Sequence, residues 1–256
     1  MSTDHRSGAH RAVRWLLPAP VRAGIRRRYR QHWPPRTIVR VGTPRRLLPV
    51  SRAFGADRGK PIDRYYIEDF LRRHSGQSGY APGAIHGRVL EVGDDTYTRQ
   101  FGLGVDRIDV LDVAPENSRG TIVADLAGGP NLASDTYDCV ICVQTLLFIY
   151  DVKAAVRTIH RILQPGGTAL VTVPGISQIC RPDLDSWGDY WRFTTLSARR
   201  LFEESFEPAN VTVDCYGNVR SASAFLYGLA AEDMSGRELD LHDPDFQVTI
   251  GIKAVK

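Results

Sequence analysis

From about residue 61 the chain alternates between two hydrophobic periods. In "PIDRYYIEDFLRRH" the apolar residues Ile62, Tyr65, Tyr66, Phe70 and Leu71 recur at helical spacing, with Pro61 at the start, so a helix is predicted here. Short apolar runs follow, and strands are predicted over 88–92, 107–113, 121–124, 137–143, 168–173, 211–215 and 247–254. Between them, 152–163 has an amphipathic helical pattern stopped by Pro165-Gly166-Gly167, and 195–206 another, with Thr194 or Thr195 as its cap. Strands alternating with helices imply an α/β fold, a mainly parallel sheet covered on both faces. In such sheets ligands bind beyond the carboxyl ends of the strands, so the residues that follow each strand are the candidates for function.

The first of these is Gly93-Asp94-Asp95, inside "VLEVGDDTY". A dinucleotide fingerprint, G-x-G-x-x-G, would need glycine at the positions held by Asp95 and Thr98, and two carboxylates beside a pyrophosphate would repel it. They tolerate a cofactor that carries positive charge. The second strand ends in Leu111-Asp112-Val113-Ala114-Pro115-Glu116, which places a carboxylate about 20 residues after the glycine, where it suits a ribose cis-diol. The third ends in Ala124-Asp125-Leu126, an acceptor for an adenine amino group, and the fourth in Val143-Gln144-Thr145.

Taken in order, E-V-G, D-V-A-P-E, A-D-L, "YDCVICVQTLLFIYD", "RILQPGG" and "VTVPG" resemble the class I S-adenosylmethionine-dependent methyltransferases over roughly residues 63–206. The resemblance implies a Rossmann-like fold, a mainly parallel seven-stranded sheet with an antiparallel last strand and helices on both faces. It implies S-adenosyl-L-methionine as cofactor and carries over Glu91, Gly93, Asp112, Asp125 and Gln144 as cofactor positions, with Asp94, Val113 and Leu126 beside them. The family's three alternating glycines would fall at Gly93, Asp95 and Tyr97, and only the first is present. On the preceding helix, Tyr65, with Arg64 and Tyr66, is a candidate for the cofactor's carboxylate, and packing of that helix accounts for these residues equally well. "PVSRAFGADRGKPIDRYYIEDFL", "EVGDDTYTRQFG", "PGISQI" and "WGDYWRFT" look like bacterial methyltransferases associated with glycosyltransferases and polysaccharide clusters. That narrower resemblance implies O-methylation of a sugar hydroxyl in a glycan or glycosylated metabolite, and a glycosyltransferase as partner. A methyltransferase-like scaffold without activity and a small-molecule N- or O-methyltransferase are the alternatives.

Methyl transfer to a hydroxyl needs alignment, exclusion of water and a base or metal to take the proton. The segment 174–193 is too long for a minimal turn and is predicted to lie over the site as a lid. Its Trp187, Tyr190, Trp191 and Arg192 are the expected substrate contacts, and capping of the core by the same aromatics is the competing account. Asp189 is the preferred base and His242, in "DLHDPDF", its alternative. That acidic stretch matches no standard metal loop, so a divalent metal has no motif behind it and no metal ligands are assigned.

Composition adds a boundary and removes rival classes. The chain has 256 residues, 43% hydrophobic and 24% charged, which suits one α/β domain, with no apolar run near the roughly 18 residues that span a bilayer. Residues 1–50 hold 12 arginines and one acid, a balance of +11, which leaves −7 on the rest. A basic arm (1–50), amphipathic or partly disordered, therefore precedes the methyltransferase domain (51–256). Its arginines, interleaved with Val13, Trp15, Leu16, Leu17, Val21 and Ile25, suit an anionic membrane surface or a docking partner. No motif indicates nucleic acid. Cys139 and Cys142, three apart on a strand, point to opposite faces and cannot share a metal, so core cysteines and a cytoplasmic setting are expected, with the inner membrane face as a peripheral location. A nicotinamide reductase lacks both its fingerprint and its Tyr-x-x-x-Lys pair, since Tyr150 and Lys153 are three apart; "GISQI" lacks the last glycine of G-x-S-x-G.

Overall fold

The computed structural model describes residues 46–76, 83–129 and 131–256. The helix predicted from Pro61 is α1 (Ile62–His74), which presents Ile62, Tyr66, Ile67, Phe70 and Leu71 to the core. After it come β1 (Gly87–Val92), α2 (Thr96–Phe101), β2 (Val105–Asp112), β3 (Ile122–Val123), β4 (Tyr137–Val143), α3 (Val152–Ile162) and β5 (Leu163–Pro174). The chain closes with α4 (Arg181–Ser186), α5 (Thr195–Glu203), β6 (Val211–Tyr216), α6 (Val219–Leu226), α7 (Gly236–Asp240) and β7 (Thr249–Val255).

The seven strands form one sheet in the order β3-β2-β1-β4-β5-β7-β6. The pairs β1–β2, β1–β4, β2–β3 and β4–β5 are parallel, whereas β7 runs antiparallel between β5 and β6. The strand order reverses between β1 and β4, which makes the ends of those two strands the topological switch point. This is the Rossmann-like methyltransferase architecture expected from the sequence.

Alternation along the strands builds two cores. Leu90, Val140, Cys142, Ala169 and Val171 face Val156, Ile159 and Ile162 of α3 and Phe202 of α5. Val89, Cys139, Ile141 and Leu170 face α1 and Phe225 of α6. Cys139 and Cys142 are thus on opposite faces, each fully buried in its own core. Each fully buried Ile or Phe contributes about 1.5–3 kcal/mol of transfer free energy, which locks the helices onto the sheet. Side-chain caps fix where they begin: Asp151 accepts from Ala154 N at 2.9 Å, Thr194 and Ser197 form a capping box, and so do Asn218 and Ser221.

Residues 50–61 are part of this fold. Val50 N donates to Tyr227 O at 2.7 Å and Ala231 N to Lys60 O at 2.8 Å. Arg58 Nε lies 2.8 Å from Asp233 Oδ2, both side chains almost wholly buried. This strap runs over α6 and delivers the N-terminus of α1 to the carboxyl end of the sheet. Most of the arm, residues 1–45, lies outside the described residues. Among those described, no helix is long and apolar enough to cross a membrane.

Candidate functional site

A cleft of about 740 Å³ opens where β1, β2, β3 and β4 end, within the range of pre-formed small-ligand sites. From β1 it takes Val92 and Gly93. Gly93 has φ +91°, a conformation open to glycine, and a Cβ there would meet nothing within 4 Å, so the backbone faces open space at the cleft. The two aspartates after it turn elsewhere. Asp94 Oδ1 accepts from Thr96 N at 2.9 Å, and Asp95 Oδ2 accepts from Arg99 Nε at 2.6 Å. Glu91 is buried beneath the loop and accepts Tyr97 N (3.0 Å) and Thr98 N (2.7 Å), two of the unpaired amides that open α2. Burial pushes its pKa up against those bonds. Glu91, Asp94 and Asp95 therefore shape the turn, and none of the three lines the cleft.

Asp112, Val113, Asp125 and Leu126 all line it. Asp112 Oδ1 accepts from Ala114 N at 2.8 Å and Oδ2 from Asn117 Nδ2 at 2.5 Å, while Asn117 Nδ2 also donates to Gly93 O at 2.8 Å. Asn117 ties the first loop to the second and holds the carboxylate in place. Nothing in its sequence context marked it. Asp125 is exposed, with Oδ1 accepting from Ala127 N at 2.8 Å, which leaves its other oxygen for a ligand.

The segment after β4 supplies Thr145, Phe148, Ile149, Tyr150 and Asp151, and the lid supplies Asp183, Trp187 and Tyr190. Three hydrogen bonds fasten this segment beside the cleft. Tyr190 N donates to Leu147 O at 2.9 Å, Trp191 Nε1 to Ile149 O at 3.0 Å, and Phe193 N to Pro174 O at 2.8 Å. Tyr150 stacks on Trp191 at 5.9 Å and meets Tyr190 edge-on at 5.4 Å. Gly188, at φ +92°, would drive a Cβ into the Tyr190 ring, so glycine is what lets this ring fold back. Trp187 and Tyr190 remain about half exposed at the rim, whereas Trp191 and Arg192 are held in the lid's base and do not line the cleft.

Asp189 is likewise structural in its placement. Its side chain is fully buried, Oδ1 accepts from Arg192 Nη1 at 2.5 Å, and Oδ2 accepts from Cys180 N and Arg192 Nη2 at 3.0 Å each. Burial alone would raise its pKa; the bonds from Arg192 and Cys180 outweigh burial and leave it lowered. His242 packs edge-on against Tyr66 and Tyr216, with Nδ1 3.4 Å from Gly217 N, and burial lowers its pKa. Neither Asp189 nor His242 lines the cleft or the chamber beside it. Tyr65 donates to Asp240 Oδ1 at 2.5 Å, a bond that pushes its pKa up to about 12, and Tyr66 donates to Leu239 O at 3.1 Å. Both therefore hold α1 to α7. Arg64 donates from Nη1 to Tyr97 Oη at 3.0 Å.

Gln144 closes β4 in the left-handed region at φ +49°, and its Nε2 is buried with no hydrogen-bond partner. A strained backbone and an orphaned donor at the switch point mark a ligand position. Gln144 lines a second chamber of about 260 Å³, walled by Phe54, Pro61, Asp63, Arg64, Leu147, Phe148, Pro174 and the lid. Phe148 and Asp183 line both cavities, so the chamber adjoins the cleft. Sequence reasoning missed Phe54 and Asp63, because the strap that brings them here has no periodic signature. Among the described residues no group of three or more His, Cys, Asp or Glu side chains is placed to hold a metal ion.

The donor set fits S-adenosylmethionine. The Asp112 carboxylate suits the ribose, Asp125 the adenine amino group, and Gly93 a close backbone approach. Residues 92–171, from the end of β1 into β5, match the methyltransferase domain family. No curated protein matches the chain. Among solved structures, it is similar to a methyltransferase in complex with the Haloferax volcanii Trm112 methyltransferase activator (19% identity, 76% of this chain and 93% of that one, TM-score 0.47). It is also similar to a Thermotoga maritima S-adenosylmethionine-dependent methyltransferase (16%, 75% and 92%, 0.46). A third is the N-methyltransferase NodS of Bradyrhizobium japonicum with S-adenosylhomocysteine (13%, 77% and 88%, 0.47). The chain thus combines a Rossmann-like fold with a match to the methyltransferase domain family over 92–171, and the protein is a methyl-transferring enzyme with S-adenosylmethionine as its cofactor.

Proposed function

We propose that this enzyme methylates a sugar hydroxyl of a glycan or glycosylated metabolite. One observation carries the reading: the chamber beside the cofactor cleft combines apolar walls (Phe54, Leu147, Phe148, Pro174) with polar groups (Ser177, Gln178, Asp183). A sugar ring has this same division between an apolar face and a hydroxyl rim. At about 260 Å³ the chamber is smaller than the roughly 300–1,000 Å³ of drug-sized sites, so it suits a single ring and not a polymer segment. The exposed faces of Trp187 and Tyr190 would carry the rest of a larger acceptor.

Asp112, Asp125 and Gly93 would hold S-adenosylmethionine, which supplies an electrophilic methyl on a sulfonium. The chain's own contribution is alignment, exclusion of water by the lid and removal of the acceptor's proton. An amine acceptor is the second reading, favoured by the carboxylates of Asp63 and Asp183 in the chamber wall. The basic arm would bring the enzyme to an anionic inner membrane face, where a glycosyltransferase partner would supply the acceptor.

The test follows labelled methyl from S-adenosylmethionine into a glycan or lipid extract, beside calorimetry of the cofactor and its demethylated product. Label in base-stable, acid-released methyl sugars is the expected result. Label confined to amines would select the second reading, and no cofactor binding at millimolar concentration would sink both.

A further inference from the structure

We propose that the Asp63 carboxylate is the proton acceptor of the reaction, facing the transferred methyl across the chamber at the start of α1. The inference rests on the methyltransferase reading and adds a residue that neither the motifs nor the lid suggested. Asp63 is half-buried, on the first turn of α1, and lines the chamber. Its Oδ1 accepts from Arg64 N at 2.8 Å. A first-turn aspartate is a common helix-stabilising residue, and that role accounts for Oδ1. It does not require the carboxylate to stand in the wall of the chamber beside the cofactor cleft.

The geometry around it supplies the rest. Phe148 and Asp183 border both cavities, so the methyl must pass between cleft and chamber there. Gln144, with its orphaned Nε2, lines the same chamber and would donate to an acceptor oxygen. The acceptor's oxygen lone pair forms the new O–C bond while the C–S bond breaks, and that electron pair returns to sulfur as a neutral thioether. The acceptor's proton goes to Asp63 Oδ2. Burial raises the pKa of Asp63, and the Arg64 guanidinium and backbone amides only partly offset it, which moves the group toward the range where a base works at neutral pH. The charged and titratable groups facing it are Arg64 on its own helix, Tyr97 on α2, the Cys180 thiol just before α4 and Asp183 on α4, with Asp94 acting through Arg64.

Because the acceptor is unidentified, the test uses sinefungin, in which a carbon bearing an ammonium replaces the methylsulfonium, with S-adenosylhomocysteine as reference. Calorimetry should show that wild type prefers sinefungin and that Asp63→Asn loses roughly 10-fold of that preference, as expected for a lost charge-assisted bond. Affinity for S-adenosylhomocysteine should stay within about 2-fold. In the unaltered enzyme the same preference should fall as pH drops through the carboxyl's titration, above the ordinary ~3.9 of aspartate. That arm needs no variant and survives a folding defect in Asp63→Asn. An unchanged preference, or equal weakening of both ligands because Asp63 holds the cofactor's amino group, would overturn the assignment while leaving the enzyme reading intact. Failure of the wild type to bind either ligand would overturn the enzyme reading itself.

Discussion

At the scale of single residues, the first two loops separate into groups that touch a ligand and groups that hold the loop. Glu91, Asp94 and Asp95 were all legible as acids at a cofactor loop, yet each is spent on the turn: amides of α2, Thr96 N and Arg99. Sequence spacing shows which carboxylates are near a site, but their direction depends on which amide or guanidinium takes them first. Asp112 differs, because its position at the end of β2 leaves it lining the cleft even with both oxygens engaged. A carboxylate oxygen has lone pairs for a second donor, so the bonds from Ala114 and Asn117 orient Asp112 without excluding a ribose. Asp112→Ala is therefore expected to weaken S-adenosylhomocysteine binding by about 10–100-fold, the loss of one or two charge-assisted bonds. Calorimetry checks this, and an affinity within 2-fold of wild type would remove Asp112 from the ribose site.

At the scale of elements, the hydrophobic pattern located β4 at its observed bounds and most others to within two residues, because periodicity and burial coincide there. It failed where backbone pairing overrides it. Pro165-Gly166-Gly167 was expected to end a helix before a later strand, whereas β5 already begins at Leu163, paired with Tyr137, with a register shift before Cys139. The segment 174–193 stood out by its length, but the placement of its acids did not. Asp189 is the pin of this element, joining Arg192 to the amide that precedes α4. Removing one partner of a fully sealed pair costs about 3–5 kcal/mol, and less here because Arg192 keeps 27% of its side chain exposed. Asp189→Asn should accelerate hydrogen exchange across 175–193 and raise KM for the cofactor, with little change in exchange at β4. The pH sign follows from the lowered pKa. The stabilisation is present above the unfolded value of ~3.9 and is lost as pH falls through the folded one, so wild-type lid exchange should approach that of the variant in acid. Lid exchange that is identical in the two proteins at pH 7 would mean that Asp189 does not pin it.

At the scale of the whole molecule, the order of strand-end motifs was enough to reach the sheet, its switch point and the cleft, since each motif is tied to one strand's carboxyl end. The second chamber was out of reach, because it depends on a strap that is joined to the end of α6 and to the segment between α6 and α7 through contacts more than 170 residues apart in the chain, such as Arg58 with Asp233. The same strap moves the boundary that matters for truncation. A cut at residue 50 removes the Val50 amide that donates to Tyr227 and ends beside the buried Ser51. A cut after residue 45 spares both and still removes nearly all of the arm's arginines. The balance of +11 on residues 1–50 against −7 on the remainder separates the chain's charge into two regions. An anionic surface attracts the first, at about 1 kcal/mol per nearby Lys or Arg, within a Debye length of about 8 Å at physiological salt. The chain from residue 46 onward is thus expected to bind S-adenosylhomocysteine within about 2-fold of the full chain. Only the full chain should sediment with phosphatidylglycerol vesicles, and it should release them as salt rises toward 1 M, where the Debye length shrinks to about 3 Å. Vesicle binding that survives the truncation would move the membrane contact onto the folded domain, whereas loss of cofactor affinity would make the arm part of the site.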